Sequence, residues 1–163
     1  MSKLAQFFKG SDIHFGIFEP RNHIIAIYPD FSEAENAEKL VHYSGISPDE
    51  AISVSGDDVV RFAEEHVIKH GLWGVLMKKV SDFFATEEVY AERDLEMARR
   101  GAGFVAVHCP TEMVKKSVWK VLEPTSPLIA RYYSLGGVEH LKGENEHRAE
   151  PDKPNPPLPQ EVR

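Results

Sequence analysis

With a single cysteine, Cys109, in 163 residues, no intramolecular disulfide can form, and a reducing compartment is expected. No run approaches the roughly 20 apolar residues that a membrane span needs. The opening MSKLAQFFKGSD lacks the apolar stretch and small-residue cleavage site of a secretory leader, so a soluble, cytoplasmic protein is expected. Basic residues are also in deficit, with 19 Lys and Arg against 26 Asp and Glu, a net charge of −7. That balance repels a phosphate backbone and argues against nucleic acid as a partner. What is present is enough apolar residue for one core: 42% hydrophobic and 28% charged, the make-up of one globular domain.

Three stretches differ in character. Residues 1–22 form an apolar N-terminal arm, with Leu4, Phe7 and Phe8 spaced as one helical turn and Ile13 to Phe18 reading as an edge strand. Residues 23–141 carry the domain. From Lys142 the chain reads KGENEHRAEPDKPNPPLPQEVR, with five prolines and little to bury, which predicts a disordered tail over 142–163. PNPPLP has the composition of a polyproline ligand, but a solvated tail is the simpler reading.

Within the domain, HIIAIYP is a β-rich apolar run closed by Pro29, and FSEAENAEKLVHYSG continues as a helix capped by Ser32 and ended at Gly45. EAISVSG predicts a second strand whose Ala51, Ser53 and Ser55 side is the wetter one. Ser55 and Asp58 have the spacing of a capping box that opens a helix running from about Asp57 to His70. GFVAVHCP repeats the first strand 80 positions on, with Ala106 matching Ala26. TEMVKKSVWKVLEP is again helical, with Met113, Val114, Ser117, Val118 and Val121 as its inner stripe, and PLIARYYSLGGVEHL reads as a strand and a short helix. A strand–helix–strand–helix unit thus occurs twice. The predicted fold is α+β, a ferredoxin-like βαβ–βαβ antiparallel sheet with internal duplication. A helical insertion over about 57–100 lies between the halves, and its apolar residues Leu72, Trp73, Leu76, Val80, Phe83 and Phe84 must cover a sheet face or a partner chain.

HIIAIYPDFSEAENAEKL, ISVSG with DDVVRF, YAERDLEMARRGAGFVAVHCP, PTEMVKKSVWKVL and ARYYSLGGVEHL together resemble bacterial heat-induced or general-stress protein domains over Ile24 to Leu141. The resemblance implies a small ferredoxin-like domain of a soluble bacterial protein with a stress association. It supplies no catalytic residues.

Several residues invite a chemical reading. His66 and His70 lie four apart on a predicted helix, the spacing at which two imidazoles meet one metal ion, but HVIKH lacks a third ligand and a solvated face explains it. His108 and Cys109 precede Pro110 and a helix start, where a thiol can be activated; the alternative is that Cys109 is a small buried hydrophobe. Tyr132 and Tyr133 must point to opposite faces of their strand, with Arg131 and Ser134 alongside, either packed or open to an anionic or aromatic ligand. Arg93, Arg99 and Arg100 share their helix with Glu87, Glu88, Glu92, Asp94 and Glu96, which predicts a solvated ion-pair face. Gly136 and Gly137 lack the G-x-G-x-x-G or G-x-x-x-x-G-K frame of a phosphate loop and read as a tight turn before a helix.

No metal or cofactor is expected, and no catalytic set can be named. The expected role is non-enzymatic, through self-association or protein contacts. The alternative is a small-molecule or metal-binding sensor, with its site between Tyr132, Tyr133 and the helices from Leu72 to Arg100. A third reading, a cofactor-free oxygenase, requires a His, Asn or Trp inside a sheet-roofed pocket, for which His108 is the only candidate with positional support.

Overall fold

The computed structural model describes residues 7, 13–14, 17–18, 21–64, 93–134 and 137–143. The chain enters its main sheet at β1 (His23–Tyr28) and returns through α1 (Phe31–Tyr43) to β2 (Ala51–Ser55). Helical residues 56–64 (α2) and 93–99 (α3) precede β3 (Gly103–His108). Then come α4 (Glu112–Leu122), β4 (Ile129–Ser134) and β5 (Gly137–Lys142).

The five strands form one antiparallel sheet in the order β2-β3-β1-β4-β5. β1 and β2 both run antiparallel to β3, which lies between them, so the β1–α1–β2 crossover spans one intervening strand. The β3–α4–β4 crossover spans β1 in the same way. Two strand–helix–strand units are therefore interleaved, each using a strand of the other to complete its hydrogen bonding.

Period-two alternation divides the buried residues between the two faces. Ile24, Ala26, Tyr28, Val105, Val107 and Tyr132 pack with Val41 of α1 and with Val118 and Leu122 of α4. On the other face Ile27, Ile52, Phe104 and Ile129 pack with Val59, Val60 and Phe62 of α2, with Met97 and Ala98 of α3, and with Phe7 of the arm. Each fully buried aliphatic residue stabilises the fold by about 1.5–3 kcal/mol. The described ends of the insertion thus cover the second face. Its middle, with Leu72, Trp73, Leu76, Val80, Phe83 and Phe84, lies outside the described residues.

Several sequence expectations are corrected. The last unit closes in a hairpin, not a strand and helix: Gly137, at φ +130°, starts β5 beside Ser134, whose hydroxyl donates to the Gly137 carbonyl at 3.0 Å. Val138 and Leu141 are three apart, a helical spacing, but on an edge strand this separation gives each face one apolar residue. Ile13–His14 pairs with Ile17–Phe18 as a separate two-residue ladder, so this stretch is not an edge of the main sheet. α1 is capped by Asp30, whose carboxylate accepts from the Glu33 amide at 2.9 Å, so the expected Ser32 already lies inside the helix. The Ser55–Asp58 capping box is present, the Asp58 amide donating to the Ser55 hydroxyl at 3.2 Å, and α2 begins at Gly56.

The buried stripe of α4 is Lys115, Val118 and Leu122, while Met113 is 76% exposed. Lys115 can be buried because Glu139 and Glu112 hold its ammonium at 2.6 and 2.8 Å and it lies 4.9 Å from the Tyr132 ring centroid. The supposedly wetter side of β2 is buried too: Ala51 packs in the α1/α4 layer, and the Ser53 hydroxyl donates to Glu38 of α1. Lys142 still belongs to β5, and residues 144–163 of the expected tail lie outside the described residues.

Candidate functional site

Strand register assembles a polar row at one end of the sheet. His23 lies opposite His108 on one side and Tyr133 on the other. Ala51 lies opposite Val107, which brings Glu50, the residue before it, alongside His108. Three strands and the turn that leads into β2 thus contribute this row, in the lateral order Glu50, His108, His23, Tyr133. The preceding loop sets Glu50: Gly45, at φ +101°, ends α1 by turning the chain left-handed, and Pro48–Glu50 forms a 3-10 turn in which the Glu50 amide donates to Ser47 at 2.9 Å. His42 secures that loop through a 3.2 Å ring-nitrogen bond to the Ile46 carbonyl.

Within the row, His108 Nδ1 lies 2.5 Å from Glu50 Oε2. A carboxylate only accepts, so Nδ1 carries a proton and donates it to Glu50. The His23 ring packs on that of His108 with centroids 4.9 Å apart, while His23 Nδ1 contacts the Arg21 carbonyl at 2.7 Å. Phe7 meets the His23 ring edge-on, with centroids 5.5 Å apart. At this end of the sheet lies an open cleft of about 230 Å³, lined by Gly45, Ile46, Ser47, Glu50, His108, Pro110 and Val114. Its walls are largely apolar, since the end of α1 and the start of α4 contribute Ile46, Pro110 and Val114. His108 is thus among the residues that line this cleft.

Cys109 does not join the site. It is fully buried, its thiol donates to the Val107 carbonyl at 3.5 Å, and burial pushes its pKa from 9.0 to about 12. Any activation by the helix start is outweighed by desolvation, and the thiol is the small buried hydrophobe that the sequence offered as the other reading. Tyr132 and Tyr133 point to opposite faces as the alternation requires. The Tyr132 hydroxyl donates to the Cys109 carbonyl at 3.1 Å within the α1/α4 layer. On the other face, the Tyr133 hydroxyl accepts from Arg131 at 3.0 Å. Arg131, 1% exposed, also makes two 2.7 Å bonds to the Asp94 carboxylate of α3. An ion pair thus pins α3 to the sheet beside Tyr133, while most of the helices from Leu72 to Arg100, against which the sensor reading set its site, lie outside the described residues.

Arg100 pairs with Glu96 one turn away on an exposed face, as expected, but Asp94 leaves that surface set for Arg131. Gly137 lies in a hairpin, which gives it no phosphate-binding helix start; Gly136, His66 and His70 lie outside the described residues. No group of three or more His, Cys, Asp or Glu side chains is arranged to hold a metal ion among the described residues. No helix among them is long and apolar enough to cross a membrane.

No family model, curated protein or solved structure matches this chain. Geometry alone therefore bears on function, and Glu50 is the residue that sequence reasoning missed. It is 58 positions from His108, and only the β2–β3 register brings the two together.

Proposed function

We propose that this chain is a small-molecule-binding domain of the ferredoxin-like kind, with its site at the Glu50–His108 cleft. The observation that carries the reading is a largely apolar recess, walled by Ile46, Pro110 and Val114, at the mouth of which Glu50 and His108 are joined by a hydrogen bond. The interleaved strand–helix–strand units support the ferredoxin-like assignment, and the matched strands GFVAVHCP and HIIAIYP support an internal duplication in which the second unit acquired a terminal hairpin. A saturating ligand raises the melting temperature by mass action. In a metabolite screen by thermal shift, hits are expected that also move the NMR signals of Val114 and His108. Hits that leave both residues unmoved would overturn the placement, and a screen without any stabilising compound would overturn the function.

A second reading, contact with a protein partner or a second copy, draws on Tyr43 at the end of α1 and Met113 at the start of α4, 83% and 76% exposed. Both flank the loop and helix start that line the cleft. Sedimentation of the wild type beside the Tyr43→Ser, Met113→Ser double variant tests it: the wild type is expected to associate and the variant to be monomeric. A monomeric wild type removes the self-association form of this reading. The stress association implied by the sequence resemblance would give either reading a setting, without adding chemistry.

A further inference from the structure

We infer that the outer face of α1 and α4 is covered by a second copy of this chain, with α1 of each copy lying on α4 of the other about a two-fold axis that runs along the helices; the inference rests on the second reading above, in its self-association form. Topology fixes how the two helices present themselves. β1 and β3 are antiparallel, α1 runs back from β1 and α4 runs back from β3, so the helices lie side by side in opposite directions on one face of the sheet. The cleft lined by Ile46 and Val114 marks the end where the last turn of α1 meets the first turn of α4. Their buried stripes are Ala34, Ala37 and Val41 on α1 and Lys115, Val118 and Leu122 on α4. Helical spacing then turns Asn36, Lys39 and Tyr43 outward on α1, and Met113, Ser117 and Lys120 outward on α4; all six are exposed.

At equal rise per residue, Tyr43 is level with Met113, Lys39 with Ser117 and Asn36 with Lys120. A two-fold along the helices keeps those levels, so Tyr43 of one copy meets Met113 of the other, twice. At 83% and 76% they are the most exposed large apolar side chains among the described residues. Charge selects the same occupant and the same pairing. α1 carries Glu33, Glu35 and Glu38 against Lys39, whereas α4 carries Lys115, Lys116 and Lys120 against Glu112, so one helix is net acidic and the other net basic. Laying α1 on α4 brings unlike charge together, while laying each helix on its own copy sets acid on acid. Glu35 and Lys120, which enter no ion pair among the described residues, come to the same level across the axis. A different protein would have to supply a basic and an acidic helix in matching order; a second copy already has both. With 13 residues α1 is about 20 Å long, and two neighbouring helices are about as wide, a face of the size used by weak, reversible pairs.

The test uses the full chain. Sedimentation over about a hundredfold range of concentration is expected to show a reversible dimer. Lys39→Cys and Ser117→Cys proteins, mixed and treated with a short bismaleimide, are expected to give several times more covalent dimer than either alone, since Cys109 is buried and does not react. Lys120→Glu should weaken the dimer about fivefold, two exposed ion pairs being lost at once, and adding Glu35→Lys should restore it. No cross-link in the mixture, cross-linking of either cysteine protein alone as fast as of the mixture, or a Lys120→Glu protein that associates as tightly as the wild type would overturn this pairing and leave self-association standing. A wild type that stays monomeric throughout would overturn self-association and the pairing with it.

Discussion

Arg131 shows how a single side chain can be misjudged from its neighbours in sequence. Beside two tyrosines it resembles a ligand-binding cation, yet it is 1% exposed and committed to Asp94 through two 2.7 Å bonds. Removing one partner of a buried pair leaves the other charge desolvated, which costs about 3–5 kcal/mol, whereas replacing both by apolar groups costs far less. Asp94→Ala is therefore expected to lower the urea unfolding free energy by about that amount. The double variant Asp94→Leu, Arg131→Met should recover most of the loss. Little of this was legible in the sequence, because Asp94 stands among Glu92, Arg93 and Glu96 and reads as one more surface charge. The fate of Cys109 was half legible: its apolar surroundings in FVAVHCP foretell burial, but the balance between desolvation and the helix start depends on depth.

Helices and strands were the most legible level. β1, β3, α1 and α4 follow from apolar runs, acidic first turns and caps whose effects are local. Failures occur where a neighbouring element overrides the local signal. Lys115 turns inward because β5 supplies Glu139, and Ser53 is buried because α1 supplies Glu38. The meeting of α2 and α3 is equally invisible in the sequence. A Cβ on Gly56 would press on the Ala98 carbonyl oxygen and come within 2.9 Å of that of Ala102. Backbone at such distances has to shift, so Gly56→Ala is expected to destabilise the protein by about 1–3 kcal/mol in urea unfolding despite the better helix propensity of alanine.

At the scale of the whole molecule, the buried acids all shift in one direction. Burial raises the pKa of the Cys109 thiol from 9.0 to about 12 and, above 10.0, those of the Tyr28 and Tyr132 phenols. Hydrogen bonds from its ammonium to Glu112 and Glu139 raise that of Lys115 above 10.5. Above about pH 9 the unfolded chain gives up protons that the folded chain keeps, so stability intact at neutral pH declines as the pH rises toward 12. Urea unfolding at pH 7, 9, 10 and 11 is expected to show that fall, and Cys109→Ala should make it shallower. A flat profile would mean that these groups are not buried as described.

The sequence by itself determined the α+β class, the absence of a disulfide, the identity of the main strands and helices, and the need to cover a second sheet face. These are consequences of local periodicity and composition, which act within a few residues along the chain. Tertiary structure alone decided the pairing of Glu50 with His108, the commitment of Arg131 to Asp94 and the position of the cleft. Each depends on strand register and crossover between residues dozens of positions apart, where the energies that select a partner come from burial and charge across the sheet and leave no periodic trace in the sequence.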